Sequence, residues 1–163
     1  VRKPRGPGLL RKARFRKGTR NADIGGGRFD DATRVLARLG VKNVIFDPAN
    51  RPAAENQKAA KAVSCGKAAT ATVANVLNVI PSAGCRQLVI KQAADAVGAG
   101  GTAYFEIYEG TGTGRGKKTT AGWQENRSLE SYLPEVRRVF SEVHVERGAL
   151  VARRPRRQTC SAK

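Results

Sequence analysis

Methionine is absent from this 163-residue chain, histidine and tryptophan occur once each, and aromatic residues make up only 6%. A core must therefore be built mainly from Ala, Val, Leu and Ile, within a hydrophobic content of 40%. That content suffices for one globular domain and is too high for a wholly disordered chain. A lone histidine, His144, on a predicted C-terminal hairpin disfavours a catalytic triad and a histidine-based metal site. Cysteine is sparse too. Cys65, Cys85 and Cys160 form no pairwise framework and no CxxC, which points to a reducing compartment and to no structural zinc. No apolar run approaches the ~20 residues of a spanning helix. Leu9-Leu10 is too short for a signal-peptide core, so a cytoplasmic location is expected, and the start at Val1 implies an initiator Met removed or left out.

Acidic residues are missing from both ends. Residues 1–20 hold nine basic residues and no acid, and residues 147–163 hold six and no acid. These ends supply most of the net charge of +18, which leaves a nearly neutral middle. The chain divides into a basic N-terminal arm (1–20), a domain (21–153) and a basic C-terminal tail (154–163). Such ends either attract a polyanion, RNA or DNA, without reading sequence, or act as solubilising tails.

What is present alternates. The arm has two prolines and three glycines and reads as a loop that docks late if at all. A strand ends at Ala22-Asp23-Ile24, the turn Gly25-Gly26-Gly27 follows, and Phe29, Ala32, Val35, Leu36 and Leu39 are spaced for a helix stopped by Gly40. Asn43–Asp47 is an apolar strand ended by Pro48, and Glu55–Val63 a second helix. Thr70–Leu77 reads as a buried strand, 84–97 as a helix with Leu88, Ala93 and Val97 on its apolar positions, and Thr102–Tyr108 as a further strand. A Gly/Lys/Thr-rich loop (111–122) and a helix near 128–140 lead to a hairpin, 142–146 with 149–153. The pattern predicts an α/β domain with a mostly parallel sheet covered on both faces and an antiparallel hairpin at its C-terminal end.

The strongest chemical signal is Asp23-Ile24-Gly25-Gly26-Gly27 at a strand-to-helix turn, with Asp47 closing the next strand. Glycine allows a tight turn and close approach of a ligand, and a carboxylate at the tip of the second strand is placed to accept hydrogen bonds from a ribose diol. A dinucleotide fingerprint would need a third glycine where Asp30 stands. The run 112–117 is phosphate-like but fails the P-loop pattern, because Thr111 and Lys118 occupy its first and last positions. Asp30-Asp31 favour the first turn of their helix. No metal site is expected.

An acid followed by Gly-x-Gly resembles motif I of the class I S-adenosylmethionine-dependent methyltransferases, whose cofactor has no pyrophosphate. The segment Val73–Ile80 resembles that family's fourth strand, Gly100-Gly101 into Thr102 its turn into strand five, and the closing hairpin its antiparallel strands, so the likeness spans about residues 21–153. It implies a Rossmann-like doubly wound sheet and S-adenosylmethionine as cofactor. It implies that Asp23 faces the methionine amino group, that Gly25, Gly26 and Gly27 pass beside the cofactor, that Asp47 holds the ribose, and that Asn75 and Val76 border the methionine and the acceptor. The Ala-rich stretch 59–71 is short for the family's third strand and offers no adenine-contacting acid, so that strand is reduced or the adenine is held by apolar packing.

The pattern Tyr108-Glu109-Gly110, a Gly-rich loop, then Trp123-Gln124-Glu125-Asn126 resembles methyltransferases encoded by phages and mobile elements. By that resemblance Tyr108 or Glu109 is the nearest base for an acceptor, and Asn78, Trp123, Gln124 and Asn126 contact it. Alternatively Trp123 packs the loop onto the domain and Asn126 caps a helix. The segment Asn78-Val79-Ile80-Pro81 lacks the tetrapeptide of amino-directed DNA methyltransferases, and no Pro-Cys nucleophile is present. Two other classes stay open: a non-methylating nucleotide-cofactor enzyme on the same fold, and a nucleic-acid-binding module with a degenerate pocket.

Overall fold

The computed structural model describes residues 8–156, so Cys160 and the extremes of both basic ends lie outside the described residues. Eight strands form in chain order: β1 (Arg20–Ile24), β2 (Lys42–Phe46), β3 (Thr70–Ala74), β4 (Thr102–Glu106), β5 (Gly116–Thr119), β6 (Gly122–Glu125), β7 (Phe140–Glu146) and β8 (Ala149–Pro155). The main sheet runs β2-β1-β3-β4-β8-β7, with β1 to β4 parallel and β7 and β8 antiparallel. The helices are α1 (Leu9–Lys12), α2 (Asp31–Arg38), α3 (Ala53–Val63), α4 (Ala83–Val97) and α5 (Leu133–Arg137). Each parallel neighbour is reached through a helix, as parallel pairing requires. The architecture is the Rossmann-like α/β sheet that the sequence implies.

The third strand of the family pattern is missing among the described residues. The chain leaves α3 and enters β3 directly, so β2 is the sheet edge. The run 59–71 that would have formed that strand is spent on the end of α3, where Ala59 and Val63 are buried, and on the start of β3.

The strands alternate between two apolar layers. On one face Ala103 and Phe105 pack with Ile90, Ala93 and Val97 of α4, and Phe105 meets the Phe140 ring edge-on at 6.2 Å. On the other face Tyr104 and Val151 pack with Leu9 of α1. The N-terminal arm is therefore docked over part of its length. Leu9 is fully buried, its N–H donates to Glu106 Oε2 at 3.0 Å, and Lys12 Nζ lies 2.5 Å from Glu106 Oε1. The expected late-docking loop overlooked that β4 needs a cover on its Tyr104 face.

Four further expectations need correction. Phe29, Leu39 and Leu88 were assigned to apolar helix faces, yet all three are exposed, and α2 starts only at Asp31. The Gly/Lys/Thr-rich segment is a two-stranded hairpin, β5 against β6, in which Gly116 pairs with Glu125 and Lys118 with Trp123. The helix expected near 128–140 is shorter, a 3-10 turn at Leu129–Tyr132 leading into α5 with Pro134 in its first turn. The tail boundary at residue 154 falls inside β8. Among the described residues no helix is long and apolar enough to cross a membrane.

Candidate functional site

β2 lies on one side of β1 and β3 on the other, so the connections leave β1 and β3 in opposite directions. A crevice opens at such a reversal outside the carboxyl ends of the strands. Gly25 follows β1 and Asn75 follows β3, and both have left-handed backbones, with φ of 71° and 57°. A Cβ on Gly25 would come 2.5 Å from Val76 Cγ2, so only glycine lets the two strand ends approach this closely.

Two adjoining cavities share Gly25 and Asn75. One, of about 390 Å³, is lined by Asp23, the glycine turn, Phe29 and Ala74. The other, of about 460 Å³, is more apolar and lies between Phe46, Asp47 and Asn50 on one side and Val76, Val79, Ile80 and Val89 on the other. Gly27, with φ of 75°, has open space where a Cβ would stand.

The polar framework of the turn comes largely from the β2–α3 connection. Asp47, 4% exposed, accepts from Gly27 N–H at 2.8 Å through Oδ2 and from the N–H groups of Ala49 and Asn50 at 3.0 and 3.1 Å through Oδ1. Asn50 Nδ2 spans both oxygens, at 3.2 and 3.0 Å. Arg51 donates to Gly27 O at 2.8 Å and Phe29 O at 3.2 Å while pairing with Asp30 and Glu55. Asn56 Oδ1 accepts from Asp47 N–H at 2.8 Å and its Nδ2 donates back to Asp47 O.

Asp23 is buried behind the turn, accepting from Asn43 Nδ2 at 3.3 Å and Thr72 Oγ1 at 3.2 Å. Burial pushes its carboxyl above the ordinary value, against the pull of those two donors and of Arg51.

The residues expected on the acceptor side form a separate group around the hairpin. Tyr108, 61% exposed, follows β4 at the same sheet edge. Gln124 donates to Tyr108 O at 3.0 Å and accepts from buried Asn78 Nδ2 at 3.2 Å, fastening the hairpin to the turn after β3. Asn126 has no free amide atom: Oδ1 accepts from Thr111 N–H and Nδ2 donates to Arg115 O. It holds the 111–115 loop and caps no helix. Trp123 donates to Glu125 Oε2 at 2.6 Å and packs beside Gly116, within the hairpin. Glu109 Oε1 accepts from Leu129 N–H at 2.6 Å, leaving Oε2 without a partner among the described residues.

Sequence reasoning missed Asn43, Asn50, Arg51 and Asn56. The polar run Asn50-Arg51-Pro52 directly after Asp47 was the available signal. It also missed the buried cluster in which Glu135 accepts a two-pronged contact from Arg86, at 2.8 and 2.9 Å, and a third bond from Arg127 at 2.9 Å. His144 stands exposed on β7, away from the crevice.

Neither protein-family models nor curated proteins match the sequence. Solved structures do match the fold. A Burkholderia thailandensis 1,6-didemethyltoxoflavin-N1-methyltransferase, solved with 1,6-didemethyltoxoflavin and S-adenosylhomocysteine, superposes with a TM-score of 0.62 at 16% identity, over 86% of this chain and 72% of that one. A TehB-like SAM-dependent methyltransferase from Corynebacterium glutamicum gives 0.52 at 16% identity, over 85% and 80%. A sugar N-methyltransferase from a Streptoalloteichus species gives 0.52 at 12%, over 85% and 81%. The chain has the fold of the class I S-adenosylmethionine-dependent methyltransferases.

Proposed function

We propose that the chain is an S-adenosylmethionine-dependent methyltransferase. The observation that carries this reading is the pair of cavities meeting at Gly25 and Asn75 on the switch point of a methyltransferase-type sheet. The residues fit the cofactor on physical grounds. A glycine turn leaves room for a ligand against the backbone, a buried carboxylate lies behind one cavity, and the other is apolar with a carboxylate at its rim. Asp23, Gly25, Gly26 and Gly27 would hold the methionine end, and Asp47 the ribose. Asn50 Nδ2 bridges both Asp47 oxygens where a diol would donate, so it gives way when the ribose binds. Val76, Val79, Ile80 and Val89 would hold the adenine by apolar packing, in keeping with the missing third strand.

Bound there, the cofactor supplies a methyl on a sulfonium for direct displacement by an acceptor lone pair. The chain's own contribution is orientation and exclusion of water. Asn75, which lines both cavities, would border the methionine end and the acceptor. Phe29, 69% exposed, lines the first cavity and offers a ring to a planar acceptor. Glu109 Oε2 is the group left to take a proton if the acceptor must lose one. The acceptors in the neighbours' names, 1,6-didemethyltoxoflavin and a sugar, support a small molecule. A nucleic-acid acceptor held by the basic ends gains no support from them.

The test is calorimetry with S-adenosylmethionine on the full chain and on Gly27→Ala. The alanine Cβ enters open cavity and meets no protein atom, so the variant should fold, with a penalty of about 1–2 kcal/mol for its left-handed backbone. Its affinity should drop at least about tenfold. Absence of heat with the unmodified chain would overturn the proposal.

A further inference from the structure

At the opposite, amino edge of the sheet lies another cavity, of about 530 Å³. Four cations line it from three segments: Arg16 and Arg20 in the stretch that enters β1, Lys42 at the first position of β2, and Lys67 in the turn before β3. Among the described residues no carboxylate lines it. None of the four has a carboxylate partner among the described residues; other cations also lack one, but these four converge on one cavity.

The register makes the arrangement costly for the free protein. Arg20 pairs directly with Lys42 across β1 and β2, which sets two like charges side by side. Arg20 Nε is buried without a hydrogen-bond partner, and its Nη1 reaches only Cys65 Sγ, at 3.8 Å. A buried donor on a charged group is expensive to leave unmade. Helix ends do not account for the cations, although helix C-termini favour positive charge. Near this edge the α4 carbonyls of Ala94 and Ala96 already accept from Gly98 and Ala68, and the α2 carbonyls of Leu36 and Ala37 accept from Val41 and Gly40. What the cluster lacks is an anion carrying several acceptor oxygens.

The geometry points to a phosphate-binding site in this amino-edge cavity, whose four cations match the charge of a diphosphate or two neighbouring phosphate groups, independent of the crevice at the other edge. Arg20 supplies fixed donors from inside, and Arg16, Lys42 and Lys67 close around the anion as point charges. Phosphate groups of this kind come either from a free phosphorylated small molecule or from a nucleic-acid backbone.

The experiment titrates full-length protein with inorganic pyrophosphate at low ionic strength by calorimetry. One-to-one binding is expected, weakened at least about tenfold in Lys42→Gln/Lys67→Gln, whose side chains are exposed and whose loss should spare the fold. Arg20→Gln should weaken it further. Cys65 offers a second readout, because pyrophosphate should slow its alkylation in a Cys85→Ser/Cys160→Ser background and should not do so in the lysine variant. Competition separates the sources: displacement by ADP at one per site assigns a small molecule, and displacement by a short single-stranded oligonucleotide with a steep salt dependence assigns a backbone. S-adenosylmethionine affinity should be unchanged in every variant, so failure here leaves the crevice reading intact. If pyrophosphate does not bind, or if the surface control Arg137→Gln/Arg138→Gln weakens it equally, the site is overturned.

Discussion

Burial pushes the Asp23 carboxyl above its ordinary value, while hydrogen bonds from Asn43 and Thr72 and the charge of Arg51 pull it down and Asp47 adds to the push. The sign of the consequence follows from linkage. Between the ordinary and the raised value the folded chain holds the proton more tightly than the unfolded chain, so stability falls as pH rises through that window. Above it, Asp23 costs a constant amount. A buried anion kept at such cost suits a cationic ligand group, such as the methionine ammonium proposed for the adjoining cavity. Asp23→Asn should therefore raise the melting temperature at neutral pH, flatten the fall between acid and neutral pH, and weaken S-adenosylmethionine at least about tenfold. Thermal melts over that range, with calorimetry, check it. A variant that loses stability and affinity together would mark Asp23 as a packing pillar only. Asp23, the glycine turn and Asp47 were legible in the sequence because each sits at a strand end, where apolar periodicity stops. Asn43 and Asn56 were not, since an asparagine inside a strand or helix looks like surface until the fold buries it or brings it beside a buried acid.

At the scale of elements, the four parallel strands and three of their helices were readable, because β-branched runs and Ala/Leu periodicities are local signals. The β5–β6 hairpin was not. Its strands, Gly116–Thr119 and Gly122–Glu125, carry little β-propensity, and their hold on the domain is a set of side-chain bonds from distant residues. Asn126 is the clearest of these, with both amide atoms spent on the preceding loop and Gly110 packed so close that a Cβ there would overlap Asn126 Oδ1. Asn126→Ala should lower stability by about 1–3 kcal/mol, the net worth of the two hydrogen bonds it removes, and leave cofactor affinity unchanged. Urea denaturation and calorimetry decide. If stability holds and only the Michaelis constant for an acceptor rises, Asn126 contacts substrate as the family resemblance implied.

The whole molecule carries +18, and its basic ends looked from composition like appendages to a nearly neutral domain. Charge runs hide the few apolar residues within them, and Leu9 is such a residue. It fills the small second core against Tyr104, Ala149 and Val151, while Glu106 accepts both its N–H and the Lys12 ammonium. Arg14 adds a bond from its N–H to the Tyr104 hydroxyl at 3.2 Å and an ion pair with Glu146 at 2.6 Å. The arm thus seals one face of β4 and β8, and the chain from Gly8 onward belongs to the folding unit. Leu9→Ala should cost about 2–4 kcal/mol, the range for emptying a buried leucine site. Arg11→Gln, on an exposed residue of the same short helix, should change stability by less than about 0.5 kcal/mol. Paired urea denaturation curves would show the contrast, and equal midpoints for both variants would return the arm to the status of a tail. The contrast also governs how the charge is tested. Deleting the arm to probe polyanion binding would uncover Tyr104 and leave Glu106 unpaired, confounding lost charge with lost fold. Substituting Arg16, Arg20, Lys42 or Lys67 singly removes the charge and keeps the Leu9 seal, so any change in salt dependence then belongs to the cations alone.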